Sequence, residues 1–164
     1  NDAVSTVFRL SEMDVPSFLI ASTVNLVIAQ RLVRKICPHC VQSYTLTDVQ
    51  LEDIGKQYAL DQVMAGFSTL KEDLTEVKTL KDITFFRGAG CDRCFDTGYK
   101  GRVGIYEIFE MTPAASQLIL QRQSKADLFT QAVKDGMITM VQDAFVKAKR
   151  GLTTIEEILR VTKE

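Results

Sequence analysis

The apolar positions of this chain fall into blocks whose period changes along its length. Val4, Val7 and Phe8 share one face at helical spacing, and Asp2 stands where its carboxylate can cap the first turn. This helix should stop near Met13-Asp14-Val15-Pro16, because the residue before a proline avoids the helical region. Ile20, Val24, Ile28 and Leu32 then repeat every four residues, with Leu19, Val27 and Val33 widening the stripe. The pattern predicts a second helix buried on more than one side. It runs into Arg31-Leu32-Val33-Arg34-Lys35, where Arg31 and Arg34 most simply solvate a helix end or cap its carbonyls.

From Val41 to Gly90 the pattern is weaker. Thr47-Asp48-Val49-Gln50 is a capping box, followed by a short helical face of Leu51, Ile54 and Tyr58. Leu70, Leu74 and Val77, with Lys and Glu between them, predict a second, charged and solvated helix. Thr84-Phe85-Phe86-Arg87 reads as a strand, as does the stretch from Arg102 to Phe109, where Gly104 permits close backbone approach or a bulge. These two strands are expected to pair. Beyond them Thr112-Pro113 starts a helix with Leu118 and Ile119 inward. Ser124 caps the next, which carries Leu128, Phe129, Ala132 and Val133 and ends at Gly136. Val141, Ala144, Phe145 and Ala148 belong to a third ending at Gly151, and Thr153-Thr154-Ile155-Glu156 is a capping box ahead of Ile158, Leu159 and Val161. The fold class is therefore mainly α with a small antiparallel β element. Neither an internal repeat nor a low-complexity stretch is visible.

Composition narrows the function classes. At 164 residues, 46% of them hydrophobic, the chain has material for one core or two small ones. A net charge of -1 argues against a broad nucleic-acid grip, so no nucleic-acid partner is expected. No apolar run is long enough to cross a bilayer, and no targeting segment opens the chain, so a reducing cytoplasm is the expected compartment. The start at Asn1 rather than Met is expected of a piece of a longer protein.

The cysteines carry the chemistry. All four lie in two CxxC pairs, Cys37-Pro38-His39-Cys40 and Cys91-Asp92-Arg93-Cys94. Two thiolates three residues apart can face one tetrahedral site, and two such pairs fill the shell that zinc prefers. The pairs are separated by 50 residues, against roughly 15–20 in a compact zinc ribbon, so a metal here would close a long excursion. Four thiolates leave no open position, which makes the site structural. A disulfide framework suits a small secreted domain, and a redox dithiol needs only one pair, so metal is the favoured reading. His39, the sole histidine, is expected as an exposed loop side chain.

Catalytic signals are missing. One histidine excludes a two-histidine metal hydrolase, and there is no GxxxxGK followed by Ser or Thr to cradle a triphosphate. Gly98, Gly101 and Gly104 are followed by no helix, so a dinucleotide fingerprint fails on context. Glu156 and Glu157 read as helix-start charge rather than an acid/base pair. Arg102 has two balanced readings: a cation blunting a strand edge, or a guanidinium that reaches a phosphate.

Three ordered motifs, together spanning nearly the whole chain, resemble one family. Ala29-Gln30-Arg31-Leu32-Val33-Arg34 precedes the first pair. Gly90-Cys91-x-x-Cys94-x-x-Thr97-Gly98-Tyr99-x-Gly101-Arg102-x-Gly104-Ile105-Tyr106-Glu107 contains the second. Gly151-x-Thr153-Thr154-x-Glu156-Glu157-x-Leu159-Arg160-Val161 closes the chain. Each resembles the secretion and type IV pilus assembly ATPases, and Asn1-Asp2-Ala3 is similar to the end of that family's histidine box. The resemblance implies the C-terminal piece of a RecA-like ATPase domain with a zinc-binding insertion. Residues 1–36 would be the helical end of the core, 37–110 the tetracysteine subdomain with a helical excursion and small sheet, and 111–164 a C-terminal helical subdomain. It implies structural Zn2+ on Cys37, Cys40, Cys91 and Cys94, and Arg102 as a nucleotide contact. The parent would be a hexameric cytoplasmic motor using ATP and Mg2+, working at the inner membrane with platform proteins of a secretion or pilus machine, without inserting into the bilayer. Its phosphate-binding loop would lie outside this stretch, so the piece alone should be inactive. The 50-residue gap departs from the family pattern by its length. The competing class is a self-standing, zinc-stabilised protein-interaction module without nucleotide chemistry.

Overall fold

Asp2 caps the first helix, α1 (Ala3–Glu12), by accepting the Ser5 N–H at 2.6 Å, and the chain turns away before Pro16 as expected. The computed structural model describes residues 2–72 and 77–162. Its next helix, α2 (Ser17–Thr23), is far shorter than the four-residue stripe suggested, and the chain continues as the long strand β1 (Leu26–Ile36). The misreading has a physical reason. A spacing of four is also an even number, so Ile28 and Leu32 share a strand face as readily as a helix face. Val24, Val27, Ile28 and Val33 are β-branched and favour the extended chain. From Val27 to Val33 the odd positions are the more buried: Val33 is fully buried, while Ile28 and Leu32 are 57% and 50% exposed. Arg31, Arg34 and Lys35 therefore lie on a strand and not at a helix end.

β2 (Val41–Thr45) follows, then α3 (Asp48–Gly55), whose Thr47–Gln50 capping box forms as expected, and α4 (Leu60–Thr69). Of the charged helix expected through Leu70, Leu74 and Val77, Leu70 instead ends α4, Val77 is not helical, and Leu74 lies outside the described residues. α4 itself went unpredicted. It buries Val63 and Phe67, and Gly66 packs so closely that an added Cβ would sit 2.6 Å from the Gln142 side chain.

β3 (Thr84–Gly88) and β4 (Tyr99–Glu110) contain the two strands read from sequence, but they do not pair with each other. β3 runs antiparallel to β2, with Val41 opposite Gly88 and Thr45 opposite Thr84, and β4 pairs with β1. The remaining helices are α5 (Pro113–Leu120), α6 (Lys125–Lys134), α7 (Met140–Lys149) and α8 (Ile155–Thr162). Thr112 and Ser124 cap α5 and α6 as expected. The cap of α8 is Thr154, which accepts from the Glu157 N–H, one residue later than the sequence suggested. Among the described residues no helix is long and apolar enough to cross a membrane.

The chain divides into two compact units, residues 1–30 with 106–140, and 31–105 with 141–164. Both are discontinuous in sequence. The first gathers Val4, Val7, Ile20, Phe109, Ile119 and Leu128 into one core. The second buries Phe67, Phe85, Ile105, Phe145 and Ile158 and carries all four cysteines.

Candidate metal centre and an arginine-lined pocket

Each cysteine pair sits where a strand ends. Cys37 follows β1 and Cys40 precedes β2, in a turn closed by the Cys40 N–H to the Cys37 carbonyl at 3.3 Å. The second pair follows β3, where Gly90 takes a φ of +93° that favours glycine, and forms a short 3₁₀ turn over Asp92–Cys94. Here the Cys91 carbonyl accepts from the N–H groups of Cys94 and Asp96, each at 3.0 Å. Backbone bonds join the turns: the Cys37 N–H donates to the Gly98 carbonyl at 2.9 Å, and the Ala89 N–H to the Cys40 carbonyl at 2.8 Å. Gly88 and Gly98 stand back to back, and a Cβ on Gly88 would lie 2.0 Å from the Gly98 oxygen.

These contacts bring the four sulfurs within 4.8 Å of one another. Cys37–Cys91 is 4.0 Å, Cys40–Cys94 3.9 Å and Cys91–Cys94 3.7 Å. The sulfurs are too far apart for disulfides. Tetrahedral zinc with bonds of about 2.3 Å requires sulfurs roughly 3.8 Å apart, so the donor set fits that ion. Electrostatics agree. Burial pushes the Cys40 and Cys91 thiols up, reinforced by hydrogen bonding among the sulfurs. Cys94 goes the other way: against its burial, the N–H groups of Cys91 and Gly98 hold it below the usual thiol range. Four thiolates this close repel one another, and a divalent cation removes that repulsion. His39 is exposed, outside the cluster, with Arg93 Nη1 3.2 Å from its Nε2.

A second site lies in the same unit. Leu32, Arg34, Arg102 and Arg160 line a cavity of about 460 Å³. Behind it is Glu157, completely buried on α8. Its Oε1 accepts from Arg34 Nη2 at 2.6 Å and Arg160 Nε at 2.7 Å, and its Oε2 from Arg160 Nη2 and the Arg34 backbone N–H, both at 2.9 Å. Burial alone would raise the Glu157 pKa, but the arginines and the N–H overcome it and hold the value at about 2. The Arg34 guanidinium also lies 4.0 Å above the Tyr99 ring. Arg31, read as capping the end of its own helix, instead donates to the Val161 carbonyl on α8.

Of the residues singled out from sequence, the four cysteines do meet, and Arg102 is exposed near the start of β4 beside Arg34 and Arg160. Glu157 and Arg160 were missed as a site. Their signal was a Glu and an Arg three apart on α8, each on its own indistinguishable from surface charge. Glu107 was missed too. It is buried, and its carboxylate accepts from the first N–H of α1, Ala3, at 2.8 Å and of α7, Met140, at 3.4 Å. Burial pushes its pKa up.

Fold and site together define a mainly α chain with a small antiparallel β element and four cysteines placed to hold a metal ion. The chain belongs to the family described as "Type II/IV secretion system protein", which it matches over residues 1–160. It is 38% identical over its full length to a type IV pilus assembly ATPase, PilB, of Pseudomonas aeruginosa, covering 25% of that protein. It is 32% identical over its full length to type II secretion system protein E of Dickeya dadantii, covering 28%. With PilB of Thermus thermophilus the identity is again 32%, over 16% of the relative. The chain thus spans about a quarter or less of the length of most such relatives.

Proposed function

We propose that this chain is the zinc-holding, C-terminal portion of a RecA-like motor ATPase that powers type IV pilus assembly or type II secretion. The observation that carries the reading is the tetracysteine cluster, four sulfurs within 4.8 Å, inside a chain matched over its own full length by part of a type IV pilus assembly ATPase and by part of a type II secretion system protein E. Zinc on Cys37, Cys40, Cys91 and Cys94 takes a structural role, tying the end of β1 to the turn before β4. ATP and Mg2+ belong to the parent, which works as a cytoplasmic hexamer at the inner membrane against platform proteins. Arg102 is the nucleotide contact that this module contributes. The portion 37–110 forms the tetracysteine subdomain in this reading, with 1–36 belonging to the ATPase core and 111–164 to a C-terminal subdomain.

The test has two parts. The coding sequence ahead of Asn1 should contain a phosphate-binding loop, and the whole protein should hydrolyse ATP with zinc bound. A parent with no such loop, or one whose purified zinc-loaded form turns over no ATP, leaves the interaction-module reading in its place.

A further inference from the structure

The cavity formed by Leu32, Arg34, Arg102 and Arg160 is unbalanced in charge. Three guanidinium groups stand against the single carboxylate of Glu157, so two positive charges remain. Its donors are unbalanced as well. Arg34 gives Nη2 to Glu157 and Arg160 gives Nε and Nη2, and since a guanidinium offers five N–H groups both keep donors unused. The Arg102 side chain has no hydrogen-bond or ion-pair partner among the described residues. Two of the three arginines are also fixed in place. Arg160 is bidentate on Glu157, and Arg34 is held by Glu157 on one side and the Tyr99 ring on the other. Groups already immobilised lose little freedom when they bind.

We propose that this pocket binds a phosphate-bearing anion, with Arg102 as its free contact and Arg34 and Arg160 as contacts positioned by Glu157. Phosphate is favoured over carboxylate because two uncompensated positive charges match a doubly charged group, and three planar forks need more acceptor oxygens than a carboxylate has. Leu32 supplies an apolar wall. The proposal rests on the reading of Arg102 as an anion contact and adds Arg34, Arg160 and Glu157 to it.

Inorganic pyrophosphate is the first probe, titrated calorimetrically into the chain at about 0.15 M salt, where non-specific attraction is screened. Arg102→Ala and Arg160→Ala should each weaken binding about tenfold or more, as expected for a lost charge-assisted contact. Arg160→Lys, which keeps charge but not the fork, should lose part of it. Arg87→Ala, an exposed arginine on β3 outside the pocket, should change nothing, and thermal melts confirm that each variant is folded. ATP and vesicles containing phosphatidylglycerol, tested on the same variants, distinguish a nucleotide phosphate from a lipid headgroup. Absence of binding by the unmodified chain, or equal loss in Arg87→Ala, overturns the pocket. Binding that depends on Arg102 but survives Arg34→Ala and Arg160→Ala also overturns it, while leaving the single Arg102 contact standing. Loss with Arg160→Ala and not with Arg102→Ala keeps the pocket and removes Arg102 from the functional reading.

Discussion

Arg34 holds Glu157 twice, donating its guanidinium to one carboxylate oxygen at 2.6 Å and its own backbone N–H to the other at 2.9 Å. The strand β1 thereby reads the charge of a residue on α8, and Arg31 adds a bond to the carbonyl of Val161 on the same helix. Glu157 is wholly buried, while the side chains of Arg34 and Arg160 are 45% and 57% exposed. Glu157→Gln should therefore cost about 2 kcal/mol, below the full cost of breaking a fully buried pair because water screens the arginines. Urea unfolding measures it; a loss under about 0.5 kcal/mol would contradict the pairing.

The same carboxylate sets a pH signature. Its pKa in the folded chain is about 2, below the ordinary 4.5. A depressed acid contributes stability that is present above 4.5 and is lost as pH falls toward 2. The stability gap between the unmodified chain and Glu157→Gln should be constant above about pH 6 and shrink steadily below about pH 4.5. A gap that widens on acidification would reverse the assigned sign.

Glu107 makes a different kind of tie. Its two oxygens receive the first N–H groups of α1 and α7, donors that no helix satisfies by itself. Glu107→Ala leaves both without this acceptor and should cost about 2–4 kcal/mol. Amide exchange at Ala3 and Met140 should accelerate first, and unaltered protection there would show that other acceptors suffice.

Metal content is directly measurable. Protein purified without added metal should carry about one zinc per chain. Chelation should expose four titratable thiols and speed amide exchange at Cys37, Ala89, Asp96 and Gly98, while Val4, Val7 and Leu128 in the other unit's core stay protected. Less than about half an equivalent of any metal would sink the assignment.

Two glycines separate close approach from backbone strain. At Gly88 a Cβ would meet the Gly98 carbonyl at 2.0 Å, so Gly88→Ala should push the turns apart and lower zinc content by about half or more. At Gly136, with φ +103° and nothing within 4 Å of a Cβ, Gly136→Ala should cost only about 1–2 kcal/mol and leave zinc untouched. Equal effects from the two would mean that the contact at Gly88 relaxes freely.

What the sequence revealed was whatever is local. Asp2, Thr47, Thr112 and Ser124 announce helix starts because a cap and its partner lie within three residues. The cysteine pairs announce themselves by spacing alone. What it concealed was long-range or ambiguous in period. Ile28 and Leu32 fit a helix and a strand equally until β4 arrives to pair with β1. β3 is recognisable as a strand, but its partner β2, with polar Gln42 and Ser43 and one half-buried tyrosine, carries little apolar pattern. Glu157 looked like helix-start charge because one of the two cations that hold it, Arg34, lies 123 residues away.

Val41 and Gly88 face each other across the β2–β3 ladder, directly beside Cys40 and Ala89, whose backbones are themselves bonded. The long excursion therefore departs and returns through a single doorway. The thiol cluster feels the closed doorway and not the size of the room beyond it, since doubling a loop's length adds only about 0.6 kcal/mol once its ends are joined. The doorway therefore tolerates extra residues at exposed positions such as Lys56 and Gln57 with the ligand geometry preserved, while Val63 and Phe67 of α4, buried in the same unit, keep the stretch from being trimmed or replaced without loss of that core.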